Sequence, residues 1–251
     1  MKIGGIIDIS TKDIPGAVCM VFFTVGCNFN CGFCHNKHLL VNGAGKKYSV
    51  QELTQLAKNN YLVNSVSITG GEPTLQPDIV ELCKALKGLG KYVSIDTNGS
   101  HPEVIEVLIP YLNRVALDLK GSLTKENYKK ITGTEIDPAL IKKTLNIVNN
   151  NQEIDLEIRT TFVEKLLRSE DIHSIIQYLR NINFTGTFVL QQYQYSEGVG
   201  EKFQNQFKKP QHNTILEIIK PYLDKDLSFN IYIRDDIEAY TEIHEIFDKI
   251  L

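Results

Sequence analysis

The chain has 251 residues, of which 42% are hydrophobic and 23% charged. These values exclude a disordered tail, a collagen-like repeat and a coiled-coil rod. The net charge of −3 gives no overall basic character to attract nucleic acid. The longest unbroken apolar run, 17–23, is far short of the roughly 18 residues of a membrane helix.

Residues 1–5 carry no signal-peptide pattern, so the expected location is the cytoplasm. The first predicted strand is the apolar run 18–23, followed by a loop over 24–48. Ser49 and Glu52 have capping-box spacing and predict a helix start. A second strand is expected at 63–69. Pro77 then suits a first helical position, and Ile79, Leu82, Cys83 and Leu86 recur at helical spacing. Further strands are expected at 92–95, 115–119, 154–162 and 187–191. Helices are expected at 102–108, 138–149 and 169–180. A long polar loop leads to a helix at 214–223, a strand at 228–233 and a last helix ending at Leu251. Strand and helix alternate without repeats or linkers, which predicts parallel α/β units. The expected fold is a partial parallel (β/α)6 barrel, TIM-like, over 1–195, with a C-terminal α/β extension over 196–251. In such a fold the C-terminal strand ends share one mouth, where the active site sits. Thr69-Gly70-Gly71-Glu72, Asp96-Thr97-Asn98-Gly99, Asp118 and Lys120, and Gln191-Gln192 all fall at such ends.

There are five cysteines, and an odd number in a chain of this size argues against a disulfide framework. Three of them form Cys27-Asn-Phe-Asn-Cys31-Gly-Phe-Cys34. Three thiolates on one tight loop suit a [4Fe–4S] cube with one open iron. A structural zinc site using His35 as fourth ligand is the alternative, although no second Cys-x-x-Cys knuckle exists. Cys19 and Cys83 fall on apolar faces and read as core. The six histidines are scattered, and only His35 lies beside a motif; the others suit local hydrogen bonding.

The cysteine spacing, with Phe33 before the last cysteine, resembles the signature of the radical S-adenosylmethionine (SAM) enzymes. Gly70-Gly71-Glu72 resembles their GGE motif. The resemblance implies that SAM chelates the open iron, and that an electron from the cluster cleaves it to a 5′-deoxyadenosyl radical that abstracts hydrogen. It further implies that Cys27, Cys31 and Cys34 hold the cluster. Phe33, Cys34 and His35 would approach the adenine, Gly70, Gly71 and Glu72 would bind the methionine amino group, and Asp118, Leu119 and Lys120 would line the SAM site.

Asp13-Ile14-Pro15-Gly16, Asp96-Thr97-Asn98-Gly99, Leu117-Asp118-Leu119-Lys120-Gly121 and Arg159-Thr160-Thr161 narrow the resemblance to activating enzymes of glycyl-radical enzymes. The nearest branch resembles the activating protein of anaerobic ribonucleotide reductase, and pyruvate formate-lyase activating enzyme is similar in the same motifs. This implies a glycyl-radical protein substrate and reduced ferredoxin or flavodoxin as electron donor. By the same resemblance Asp96, Thr97 and Asp118 would hold a monovalent cation, against the plain reading that both aspartates cap turns. Tyr193 stands where the family often has an adenine-contacting histidine, and it suits either base stacking or packing. A ferredoxin-like cysteine insert is missing between Cys34 and Gly70. Two other readings stay open: a small-molecule radical SAM enzyme such as 7-carboxy-7-deazaguanine synthase, and a non-enzymatic zinc or cluster module. Lys202, Lys208 and Lys209 are candidates for a docking patch.

Overall fold

The protein is described by a computed structural model covering residues 1–199, 203 and 206–249. It forms two compact units. The first comprises Met1–Phe29, Asn36–Leu117 and Leu140–Leu156, and the second Asn30–His35, Asp118–Ala139 and Glu157–Leu251.

The first unit carries β1 (Lys2–Ile14), β2 (Ala17–Thr24), β3 (Lys46–Lys47), β4 (Ser65–Gly70), β5 (Tyr92–Thr97) and β6 (Arg114–Asp118, up to Leu117). Their order is β6-β5-β4-β2-β1-β3. β2, β4, β5 and β6 run parallel, with Thr24 beside Gly70 and Thr97 beside Leu117. β1 is an addition to the expected elements. It pairs antiparallel with β2 through a tight turn at Pro15-Gly16. The Ser49 capping box forms as expected, with Ser49 N donating to Glu52 Oε2 at 2.7 Å and Glu52 N to Ser49 Oγ at 3.2 Å. It starts α1 (Val50–Asn59), which buries Leu53 and Ala57. α2 (Ile79–Gly88) begins two residues after Pro77 and buries the four expected residues. α3 (Pro102–Leu108) follows β5. Cys19 and Cys83 are core residues, and burial pushes their thiols up to about 11 and about 12. That makes them poor nucleophiles and poor ligands.

The parallel sheet of this unit has two faces of different chemistry. Side chains alternate along a strand, and parallel register keeps paired residues on one face. Val66, Ile68, Val93, Ile95, Val115 and Leu117 therefore make an apolar face. Ser65, Ser67, Ser94, Asp96 and Arg114 occupy the other, and all but Asp96 are buried. A parallel sheet covered on both sides is ordinarily apolar throughout, so this polar face departs from the usual pattern.

Gly70 and Gly71 are required by backbone packing. Gly70 has φ +109° and Gly71 lies under the end of β2, where an added Cβ would sit 1.9 Å from Gly26 O. Gly71 N donates to Thr24 O at 2.9 Å and Glu72 N to Gly26 O at 2.8 Å. Gly71→Ala is expected to cost about 3 kcal/mol or more, because backbone is the obstacle and cannot rotate away. Gly88→Ala, where nothing lies within 4 Å, is expected to be neutral or slightly stabilising. Urea midpoints of the two variants check the contrast.

The second unit carries α4 (Lys125–Thr132), β7 (Asp155–Phe162, from Glu157), α6 (Ser169–Asn181), β8 (Thr187–Gln192), α7 (His212–Ile219), β9 (Asn230–Asp235), β10 (Ala239–Glu242) and α8 (Ile243–Asp248). α5 (Pro138–Asn149) has its first two residues in this unit and the rest in the first. β7, β8 and β9 run parallel and β10 returns antiparallel on β9. α4 and β10 are further additions to the expected elements, and α7 ends four residues before the expected boundary. No helix among the described residues is long and apolar enough to cross a membrane.

Candidate functional site

In the first unit, the ends of β2, β4 and β5 bring Cys27, Glu72, Thr97 and Asn98 into one polar network. Glu72 is 1% exposed. Its Oε1 accepts from Thr74 N at 3.1 Å, Thr74 Oγ1 at 2.6 Å and Thr97 Oγ1 at 2.7 Å, and its Oε2 accepts from Asn98 N at 2.7 Å. Burial pushes the carboxyl above its ordinary range, and the donors from Asn98, Thr74 and Thr97 oppose that shift. Cys27 Sγ accepts from Phe29 N at 3.4 Å.

Asp96 and Thr97 are neighbours on β5 and so lie on opposite faces. Thr97 is committed to Glu72, whereas Asp96 Oδ1 lies 3.7 Å from Arg114 Nη1, which also donates to Ser94 Oγ at 2.8 Å. The pair expected to share one cation is thus split between two surroundings. Among the described residues, no three His, Cys, Asp or Glu side chains gather closely enough to hold a single metal ion. A four-iron cube asks less of proximity, because each thiolate binds a different iron.

In the second unit, the segment 30–35 is anchored on α4. Asn30 N donates to Thr132 O at 2.8 Å, and Cys34 N donates to Cys31 O at 3.3 Å, making a turn. Cys31 is buried and Cys34 half-buried, and neither is in a disulfide. Asp118 lies between two cations, with Lys120 Nζ at 2.8 Å and Arg159 Nε at 2.9 Å. Burial opposes its ionisation, but Arg159 and Lys120 prevail and hold the carboxyl down at about 2. Burial likewise opposes the Lys120 ammonium. Asp118, the Cys31 thiolate and, more weakly, Cys34 outweigh it and raise its pKa. Leu119 is buried, and its backbone pairs with Arg159 O at 2.9 Å.

Phe33 packs edge-on against Phe207, with centroids 6.4 Å apart. His35 Nε2 donates to Gln194 O at 2.7 Å, since a carbonyl only accepts. Tyr193, a candidate for base stacking, is fully buried, with its ring 6.0 Å from Phe207 and 5.7 Å from His35. It packs in the core. His173, His212 and His244 make local hydrogen bonds with Tyr222, Asp235 and Glu242. Lys209 is paired with Asp236 at 2.5 Å, and Lys202 lies outside the described residues.

Asn28, Asn98, Ser100 and His101 belong to the network around Cys27 and Glu72 but were not among the residues assigned roles from sequence. Their run from 98 to 101 directly after a strand-end motif was the available signal.

A family model described as the radical SAM superfamily matches residues 21–179. The chain belongs to the radical SAM superfamily. Its members use a [4Fe–4S] cluster and SAM, and the chain is a radical SAM enzyme. A Methanocaldococcus jannaschii protein, named as a proposed glycyl-radical enzyme activating enzyme, is 35% identical over 232 residues, 88% of this chain and 93% of its own. A Saccharolobus islandicus protein, provisionally named a GTP 3′,8-cyclase, is 31% identical over 225 residues, 78% of this chain and 71% of its own. The crystal structure of Streptococcus suis SuiB bound to SAM matches with a TM-score of 0.67 at 21% identity, covering 86% of this chain and 49% of SuiB. The chain therefore spans about half the length of SuiB. The fold is the partial parallel α/β barrel of the radical SAM type, as the strand order within each unit had suggested.

The residues fit the implied cluster. The three thiols are free of disulfides, Cys27 receives a backbone N–H, and Lys120 supplies positive charge to the other two.

Proposed function

We propose that the chain is a cytoplasmic activating enzyme for a glycyl-radical enzyme, with an anaerobic ribonucleotide reductase as its partner. The observation that carries this reading is the 35% identity to a relative named for that activity, across 93% of the relative's length. In this reading Cys27, Cys31 and Cys34 hold the cluster. Glu72 Oε2, which has one donor where Oε1 has three, offers its remaining lone pair to the SAM ammonium. Gly70 and Gly71 keep backbone close to the same group. Lys120 and Arg159 place positive charge on the Asp118 side, where Leu119 and Lys120 line the SAM pocket. Phe33, Cys34 and His35 present backbone to the adenine. The cation expected at Asp96, Thr97 and Asp118 has no place in this reading, because Asp118 already neutralises two cationic side chains.

The bound cluster and SAM supply one electron and the fragment that takes hydrogen. The balance is one electron and one SAM consumed, with methionine and 5′-deoxyadenosine released and one hydrogen removed from a partner glycine. Reduced ferredoxin or flavodoxin is the proposed electron source. The protein's part is to bind, orient and exclude water.

The test mixes the reduced, cluster-loaded chain, SAM and the host's anaerobic ribonucleotide reductase without oxygen. A glycyl-radical doublet in the electron paramagnetic resonance spectrum is the expected result. If 5′-deoxyadenosine forms without that doublet, this partner is wrong. If SAM cleavage is then coupled to turnover of a purine nucleotide, the cyclase-like relative becomes the better guide.

A further inference from the structure

The loop following β5 fixes the orientation of one side-chain amide. Asn98 Oδ1 accepts from Ser100 N at 3.0 Å and from Ser100 Oγ at 2.6 Å. A backbone N–H only donates, so the atom facing it must be the amide oxygen. The amide nitrogen therefore points the other way. Its two hydrogens have two acceptors: Asn28 Oδ1 at 2.9 Å and Cys27 Sγ at 3.9 Å. Asn28 closes the ring by donating to Ser100 Oγ at 2.8 Å. His101 Nδ1 lies 3.0 Å from Ser100 Oγ and 3.1 Å from Thr74 Oγ1, which links the ring to Glu72. Asn98 is 6% exposed, so little water competes for its hydrogens. A hydrogen bond counts for more in such surroundings.

We propose that Asn98 is a positioning residue that donates a hydrogen bond to the Cys27 thiolate and so raises the reduction potential of the cluster bound there. The proposal rests on Cys27 being a cluster ligand, as read above. The contact is long at 3.9 Å for a neutral thiol, and a thiolate attracts the same donor more strongly. Reduction adds negative charge to the cluster, so a donor aimed at sulfur favours the reduced form. Hydrogen bonds to the sulfurs are among the recognised determinants of such potentials. The donor also meets the geometric demand of a supporting residue. Its other three hydrogen-bonding positions are filled by Ser100 and Asn28, so it cannot turn away without breaking them.

The experiment is an anaerobic redox titration of the cluster-loaded full chain, followed by the spin-resonance signal of the reduced cluster. Iron per chain is measured on the same samples. Asn98→Ala is expected to shift the equilibrium three- to tenfold toward the oxidised form. That is a potential more negative by about 30 to 60 mV for one electron. Asn98→Asp keeps the acceptor for Ser100 but replaces the donor by charge, and is expected to shift further in the same direction. Ser100→Ala disturbs the loop but leaves the donor, and is expected to stay within about twofold, or about 20 mV. An unchanged potential in Asn98→Ala overturns the proposal. So does an equal shift in Ser100→Ala, which would assign the effect to loop geometry. If Asn98→Ala does not hold iron, Asn98→Asp decides, and an unchanged potential there overturns the proposal too. An unaltered chain that takes up no iron would sink the cluster reading itself, a separate outcome.

Discussion

Cys31→Ala is expected to abolish 5′-deoxyadenosine formation, by more than about a hundredfold, since even changes to outer-shell partners of a metal site cost ten- to a hundredfold. Cys31 is the buried member of the trio. Its thiolate also contributes to holding Lys120 charged. Its loss therefore removes a ligand and weakens the electrostatic pairing around Asp118. Iron per chain is expected to fall with activity. The fold is expected to survive, because Asn30 remains tied to Thr132 and Cys34 N to Cys31 O through the backbone. Iron analysis, far-ultraviolet circular dichroism and chromatographic measurement of 5′-deoxyadenosine on one preparation check all three. Full activity in Cys31→Ala would remove it from the ligand set.

Asp118→Asn is expected to cost about 2–3 kcal/mol of stability. Removing one partner of a buried ion pair costs about 3–5 kcal/mol, and the Asp118 side chain is 31% exposed, which tempers that cost. The substitution leaves Arg159 and Lys120 without the carboxylate that both now bind. The pH dependence follows from the lowered pKa. The Asp118 carboxyl titrates at about 2 in the folded protein against 3.8 ordinarily. Its contribution is thus fully present above about pH 4 and is lost as pH falls through about 2. Partial exposure screens this to about 1–2 kcal/mol. Urea unfolding between pH 7 and pH 2.5 is expected to show a smaller gap between Asp118→Asn and the unaltered chain at the acid end. A gap that is constant with pH would mean that the carboxylate's charge is not what stabilises.

The cysteine triplet, the Gly-Gly-Glu turn and the parallel strands were legible in sequence because each rests on local spacing or apolar alternation. β1 was not. It contains Gly4, Gly5, Asp8, Lys12 and Asp13, all poor strand formers, and it is a strand because β2 pairs with it. Such tertiary pairing leaves little local trace. α4 does have a local signal in the sequence. Thr124 caps its start by accepting from Asn127 N at 3.2 Å, and Gly133 ends it in the left-handed region at φ 66°. Where a cation is expected at Asp96, Thr97 and Asp118, the two-residue period puts Asp96 with Arg114 and Thr97 with Glu72, which spacing alone does not show. Glu72 was legible as a residue of the site. Its four donors were not, because they come from side chains and backbone up to 26 positions away. The orientation of the Asn98 amide could be decided only once Ser100 N was seen to face it.

The pairing of the segment 30–35 with residues much later in the chain bears on how the protein is made. His35 meets Gln194 across 159 positions, and Phe33 meets Phe207. Ribosomes add about 5–20 residues per second, so the segment 30–35, with Cys31 and Cys34 in it, emerges roughly ten seconds or more before Gln194 and Phe207 are synthesised. During that interval both thiols belong to a nascent chain whose second unit cannot yet close around them. They are open to oxidants and stray metal ions for that time.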